Sequence, residues 1–180
     1  METDFTISKE EVVNFHMNHV TETEYYKKAI IVSSIFMFLL ISLIFVISKH
    51  LYYTITAFLI WFVLLIFGKK IILRGVRNKL IRAFSMEKYK SYFEPTKLIT
   101  NERGLTLITS LSEKTYKWGS IEKVIRIDNY IFITTSVHDD ILIHIGSFKS
   151  LEQKNLFIDN VIENTDLKLE YKYPIGIQYQ

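Results

Sequence analysis

His16 and His19 stand three residues apart, and Glu22 lies three further on. On a helix that spacing places two imidazoles and a carboxylate on neighbouring turns, where they could ligate a metal ion. A lone His-x-x-His on a polar helix is more commonly surface or packing, so no metal or other cofactor is expected. Asp139 and Asp140 are adjacent carboxylates beside His138, and His144 follows closely. A membrane-bound enzyme could use these four groups for acid–base work, but neighbours in a turn face solvent instead of sharing a pocket. Ser85-Met-Glu-Lys88 fits the loose Ser-x-x-Lys pattern of acyl-transfer nucleophiles without its companion motifs. The sequence contains no glycine-rich phosphate loop, no His-Glu-x-x-His and no Gly-x-Ser-x-Gly. It contains no cysteine, which excludes disulfides, thiolate metal sites and cysteine nucleophiles. The residues that could do chemistry therefore point to a non-enzymatic protein.

The elements around them are dominated by two uncharged apolar runs, Ala29–Ile47 and Leu51–Phe67, separated by Ser48, Lys49 and His50. As helices the 19 and 17 residues would span roughly 28 and 26 Å, close to the thickness of bilayer hydrocarbon. Fourteen residues of the first run are Leu, Ile, Val or Phe, which favours insertion by roughly 4–8 kcal/mol. Tyr52 and Tyr53 frame the second run as interfacial aromatics do. Trp61 lies mid-run, where packing against the first helix explains it better. No Asp, Glu, Lys, Arg or His falls inside either run, so no proton relay or ion pathway is written there.

Charge gives the pair of runs a direction. Residues 1–28 carry three basic and six acidic side chains, residues 69–95 eight and two, and residues 96–180 ten and eleven. The excess of Lys69, Lys70, Arg74, Arg77, Lys79 and Arg82 follows the second run at once, Lys27 and Lys28 flank the first, and only Lys49 lies in the loop. By the positive-inside rule both termini are cytoplasmic in a multi-pass inner-membrane protein. These six cations are the expected lipid-facing residues, snorkelling among the headgroups. With the basic run placed at the membrane, no nucleic-acid partner is expected.

Before the runs, Asp4–Ile7 reads as a strand. Ser8 with Glu11 reads as a capping box that starts a helix from Lys9 toward Lys28 and on into the first run. After them, Ile72, Val76, Leu80 and Phe84 recur at four-residue spacing in a basic juxtamembrane helix over 68–95, which Pro95 stops by Glu94. From Thr96 short β-type runs take over: Lys97–Thr100, Leu105–Ser110, Thr115–Trp118, Ile121–Ile127, Tyr130–Thr135 and Ile141–Ile145. Their short turns imply antiparallel pairing. Ser150–Asn164 reads as an amphipathic helix capped by Ser150 with Gln153, and Leu167–Tyr173 alternates like a strand. The fold class is thus α+β. A two-span transmembrane helical hairpin carries a cytoplasmic antiparallel β-rich domain over 96–180, which resembles a pleckstrin-homology-like barrel with its C-terminal helix. An open meander with a helix on one face is the alternative.

The order of these pieces carries a family resemblance. Ile7-Ser-Lys-Glu-Glu11 leads to Phe15-His16, then the hairpin, then Leu98-Ile-Thr-Asn-Glu-Arg-Gly104, Tyr116-Lys-Trp118-Gly-Ser-Ile121-Glu-Lys-Val124 and Asp128-Asn-Tyr130-Ile-Phe132-Ile133. Over essentially the whole chain this resembles the YcxB-like family of small bacterial membrane proteins. Trp118, Ile121, Val124, Tyr130 and Phe132 are its most distinctive residues, and their role is structural. One local departure is His144-Ile-Gly146-Ser-Phe148, where relatives often carry a proline and a basic residue. The resemblance supplies no established activity. The expected function is a membrane-anchored binding module, with membrane lipids, a membrane-associated protein and another copy of the chain as possible partners. Self-protection against a membrane-targeting toxin is the alternative, and the enzyme using His138, Asp139, Asp140 or His144 a second one.

Overall fold

The computed structural model describes residues 1–137 and 139–174, the side chains of 48, 64 and 65 excepted. His138, one of the candidate acid–base groups, lies outside the described residues, as does the end of the predicted C-terminal domain beyond residue 174. The described chain is α+β, with helices and two four-stranded, mainly antiparallel sheets.

The first strand, β1, covers Glu2–Phe5 and the first helix, α1, Lys9–His19. The capping box forms as predicted: Ser8 Oγ accepts from the Glu11 amide at 3.2 Å, and Glu11 Oε2 accepts from the Ser8 amide at 2.7 Å. β1 lies two residues earlier than the predicted Asp4–Ile7. Its position is set by pairing with the distant β2 (Thr96–Asn101), with Phe5 opposite Thr96 and Glu2 opposite Ile99. α1 also stops short of Lys28, contrary to the sequence expectation. A 3-10 turn at Val20–Glu22 breaks it, and Thr23 restarts the chain as α2, Glu24–Ser48. The Thr23 hydroxyl donates to the Val20 carbonyl at 2.6 Å and accepts from the Tyr26 amide at 3.3 Å. One side chain thus satisfies both sides of the break, where β-branched residues already weaken the helix.

Lys49, in the left-handed conformation at φ 53°, turns α2 toward α3, Leu51–Ala83. Glu24–Ile47 is long and apolar enough to cross a membrane, and none of its most apolar stretch is buried. α3 meets that criterion only as two parts, Leu51–Val63 and Ile66–Ala83, bent by 47°. Half-buried Ser34, Met37 and Ile41 recur at helical spacing on α2, as do Thr54, Ala57 and Trp61 on α3, so each helix is shielded along one stripe. α3 runs through the basic segment and ends at Ala83, before the limit set by Pro95, and a 3-10 turn at Glu87–Phe93 follows.

β2 continues the first sheet through β3 (Gly104–Ile108) and β4 (Glu113–Lys117), in the order β1-β2-β3-β4. The second sheet is built on β5 (Ile121–Ile127), β6 (Tyr130–Thr135) and β7 (Asp140–His144). Helix α4 (Leu151–Thr165) follows, then a two-residue strand β8 (Leu169–Glu170), giving the order β7-β6-β5-β8. Ser150 caps α4 by accepting from the Gln153 amide at 3.1 Å, as predicted. The predicted strand Leu167–Tyr173 contracts to β8, which pairs parallel to β5, whereas the other pairings are antiparallel.

The chain divides into two compact units, one of Met1–Asn14 with Ala83–Tyr173 and one built on Phe15–Arg82. The core of the first joins both sheets to α4, from Phe5 and Leu98 through Val124, Ile131, Ile133 and Ile143 to Phe157 and Val161. Ile7, Val12 and Val13, which precede the apolar helices in sequence, are fully buried.

Candidate functional site

The cations predicted to face lipid lie on the last four turns of α3. Lys69, Lys70, Arg74, Lys79 and Arg82 are exposed, and Arg77 is half-buried. The apolar positions predicted at four-residue spacing form the other side, with Val76 and Leu80 buried and Ile72 half-buried. α3 contains no acidic residue, and the five exposed cations form no ion pair among the described residues. An unneutralised stripe of this kind can balance the charge of an anionic surface, at about 1 kcal/mol per side chain near a lipid headgroup layer. It continues directly from helix turns whose apolar side chains are exposed, including Ile66 and Phe67.

Trp118, Ile121, Val124 and Phe132, the residues on which the resemblance was read, are buried in the β unit, and Tyr130 is half-buried. Trp118 sits in a 3-10 turn at the end of β4, and its indole N–H donates to the Asn101 carbonyl at 3.1 Å. The β2–β3 turn that presents this carbonyl is fixed by Asn101 Oδ1, which accepts from the Arg103 amide at 2.9 Å. Gly104 closes the turn at φ 147°, and a Cβ there would strike the Tyr116 carbonyl oxygen.

Of the candidate acid–base groups, Asp139 and His144 are held in structural bonds. Asp139 accepts from Lys114 Nζ and, at 3.0 Å, from the Tyr116 hydroxyl. Its amide donates to Thr135 Oγ1, which donates back to its carbonyl. Asp140 opens β7 and is half-buried, and its charge adds to the burial that raises the Tyr92 phenol. Burial, reinforced by Asp139, likewise raises Tyr116, so both phenols stay protonated. His144 Nδ1 accepts from the Gly146 amide at 3.0 Å. Its ring meets Tyr130 edge-on at 5.2 Å. The Glu11 carboxyl is held below its ordinary value first by its bonds to Ser8, with a smaller contribution from His144.

His16 and His19 do come together, though on a buried face: they are 3% and 7% exposed, and both rings meet Phe15 edge-on. Burial pushes His16 down to about 4. Glu22 lies 3.6 Å from His19 Nδ1. No group of His, Asp and Glu arranged to hold a metal ion occurs among the described residues. Ser85 accepts from Lys9 Nζ at 3.1 Å, which ties the start of α1 to the segment after α3.

Tyr92 had no expectation attached to it, and the tail after α4 was expected only to be a strand, with no partner named. Tyr92 covers the outer edge of β7 by accepting from the Leu142 amide at 3.2 Å, a way of blunting an open sheet edge. The segment after α4 lies along the edge of β5 and ends with Tyr173 stacked on Phe132, centroids 6.2 Å apart and rings within 5° of parallel. Both depend on contacts between residues far apart in sequence. The only prior signals were aromatics among polar neighbours and the alternation of Leu167–Tyr173. No family model matches this chain, and neither a curated protein nor a solved structure does.

Proposed function

We propose that the chain is a two-span inner-membrane protein, similar to the YcxB-like family, whose β unit is a pleckstrin-homology-like, non-enzymatic binding module on the cytoplasmic side. The observation that carries this reading is the pairing of β1 with β2 over four residues. The two strands lie on either side of α2 and α3 in sequence, yet they share one sheet, so they must occupy one compartment. An even number of crossings between them meets that condition, and one crossing does not. A core helix of a soluble protein would be mostly buried, whereas no residue of the most apolar stretch of α2 is fully buried. A cleaved leader would take β1 and the buried Ile7, Val12 and Val13 away with it.

The direction follows from charge. Lys27 and Lys28 in the first turns of α2 and the six cations at the end of α3 flank the apolar runs at the ends that lead to β1 and β2, and Lys49 alone lies in the loop between the runs. Anionic lipids are the partners of that stripe. Binding is favoured over catalysis because Asp139 and His144 are committed to bonds that hold turns and strands together.

Because the chain lacks cysteine, His50→Cys and Ser112→Cys give single reporters in intact cells. An impermeant maleimide is expected to label the first and spare the second. Labelling of both would overturn the two-span reading, and the reverse pattern would overturn the orientation.

A further inference from the structure

β5 is seven residues long, but on its outer side it pairs only at Val124 with Leu169 and at Ile125 with Glu170. Ile121–Lys123 and Arg126–Ile127 have no strand partner on that side among the described residues. The covering segment leaves α4 through Asp166 in the left-handed conformation at φ 54°. Leu167 and Leu169 then pack against the main core. Ile131 and Ile133 point into that core, so Phe132 between them points to the opposite face of the sheet. Tyr173, 1% exposed, stacks on Phe132 there. The segment therefore crosses the edge of β5 from one face of the sheet to the other, while Lys168, Glu170, Tyr171 and Lys172 face outward.

This is the geometry of strand addition. Main-chain bonds to a sheet edge supply affinity, and pockets for alternate side chains supply selectivity. A two-residue parallel ladder is a weak closure, because parallel pairing is the less stable kind and few amides are fixed by it. We propose that Leu167–Tyr173 is an exchangeable strap over a strand-addition site on β5. The partner is an extended peptide with aliphatic residues at alternate positions followed by an aromatic one, which displaces the strap. This deepens the binding-module reading of the β unit and rests on it.

The test uses the full chain in lipid nanodiscs and a fluorescent synthetic peptide of residues 166–174. Leu169→Pro combined with Tyr173→Ala removes a strap amide and the stacked ring. Loosening the strap raises the fraction of open sites, so the peptide is expected to bind the variant about tenfold more tightly than the unaltered chain. A scrambled peptide should bind neither. A variant that keeps its β-sheet circular dichroism yet binds no peptide would overturn the proposal, as would equal binding to both chains. Hydrogen exchange on the unaltered chain provides a measurement that no misfolded variant can obscure. The amides of residues 167–171 should exchange well before those of β6, and equal protection would also overturn the strap. Flotation of the same chains synthesised in the presence of lipid vesicles reports membrane association separately, so failure of the strand site and failure of the membrane reading are distinguishable.

Discussion

Residues 15–82 carry nine basic and two acidic side chains, whereas residues 1–14 with 83–173 carry thirteen and seventeen. The contrast extends to apolar surface. In the β unit Val124, Ile131, Phe132 and Ile133 are completely buried, while on α2 Val46 and Ile47 are 67% and 73% exposed. Polar groups divide less cleanly. The Trp118 indole has its acceptor, whereas the Trp61 indole nitrogen and the Thr54 hydroxyl in the helical unit, and the Asn160 side-chain oxygen in the β unit, are buried without a hydrogen-bond partner among the described residues. The β unit buries most of its large apolar side chains in its own core, and its stability comes from there. The helical unit leaves most of the apolar surface of α2 and α3 exposed.

The same substitution in the two units tests this difference most severely. Phe132→Ala removes a fully buried ring and is expected to cost the β unit about 3–5 kcal/mol. Phe36→Ala on α2, where the ring is 61% exposed, should leave the β unit untouched and weaken insertion by only about 0.3–0.6 kcal/mol. The two tryptophans fall one in each unit, so Trp61→Phe leaves Trp118 as the sole reporter of urea unfolding in the β unit. If Phe36→Ala moved the Trp118 transition as far as Phe132→Ala does, the division between the units would be broken.

A smaller effect separates the units by pH. His16 is 3% exposed, and its value falls from 6.5 to about 4, chiefly by burial and then by the neighbouring His19. Its unfolded form takes up a proton more readily than its folded form. The stability it contributes is therefore complete above about 6.5 and is lost as pH falls toward 4. Between pH 7 and pH 5 the helical unit should lose about 2 kcal/mol. With Trp118→Phe, Trp61 fluorescence during thermal unfolding reports that loss, and His16→Gln should abolish most of it. An equal slope in the variant would assign the pH dependence to other groups.

Local chemistry accounts for what was legible in the sequence. Ser8 with Glu11 and Ser150 with Gln153 cap helices where their spacing said they would. Ile121–Ile127 and Tyr130–Thr135 are strands at the predicted residues, because alternation and short turns are decided within a few residues. The break at Val20–Thr23 was harder to see. Its signal was a single threonine without the glutamate of a capping box, set in a polar stretch that otherwise continues as helix. β1 and β8 were misplaced or overextended because each is defined by a partner strand far away in sequence: Phe5 by Thr96, and Leu169 by Val124. Of the candidate site, the cations of α3 were legible from composition. The strap was not, since an alternating tail does not reveal which edge it covers.

The smallest effect bears on where the units divide. α1 crosses the boundary, with Asn14 in one unit and Phe15 in the other. Glu11 lies on the β side, and its carboxyl is held below the ordinary range by Ser8 and, more weakly, by His144. A depressed carboxyl contributes stability above its unfolded value of about 4.3 and loses it as pH falls through the folded value. Ser8→Ala should cost about 1 kcal/mol at neutral pH through loss of the cap. Glu11→Gln keeps an oxygen acceptor for the Ser8 amide, so it should cost less at pH 7 and flatten the acid limb below about pH 4. Both changes should appear in the Trp118 transition and leave that of Trp61 in place. If the Trp61 transition moved instead, the first turn of α1 would belong energetically to the helical unit. β1 would then be the sole N-terminal element on which the β unit depends.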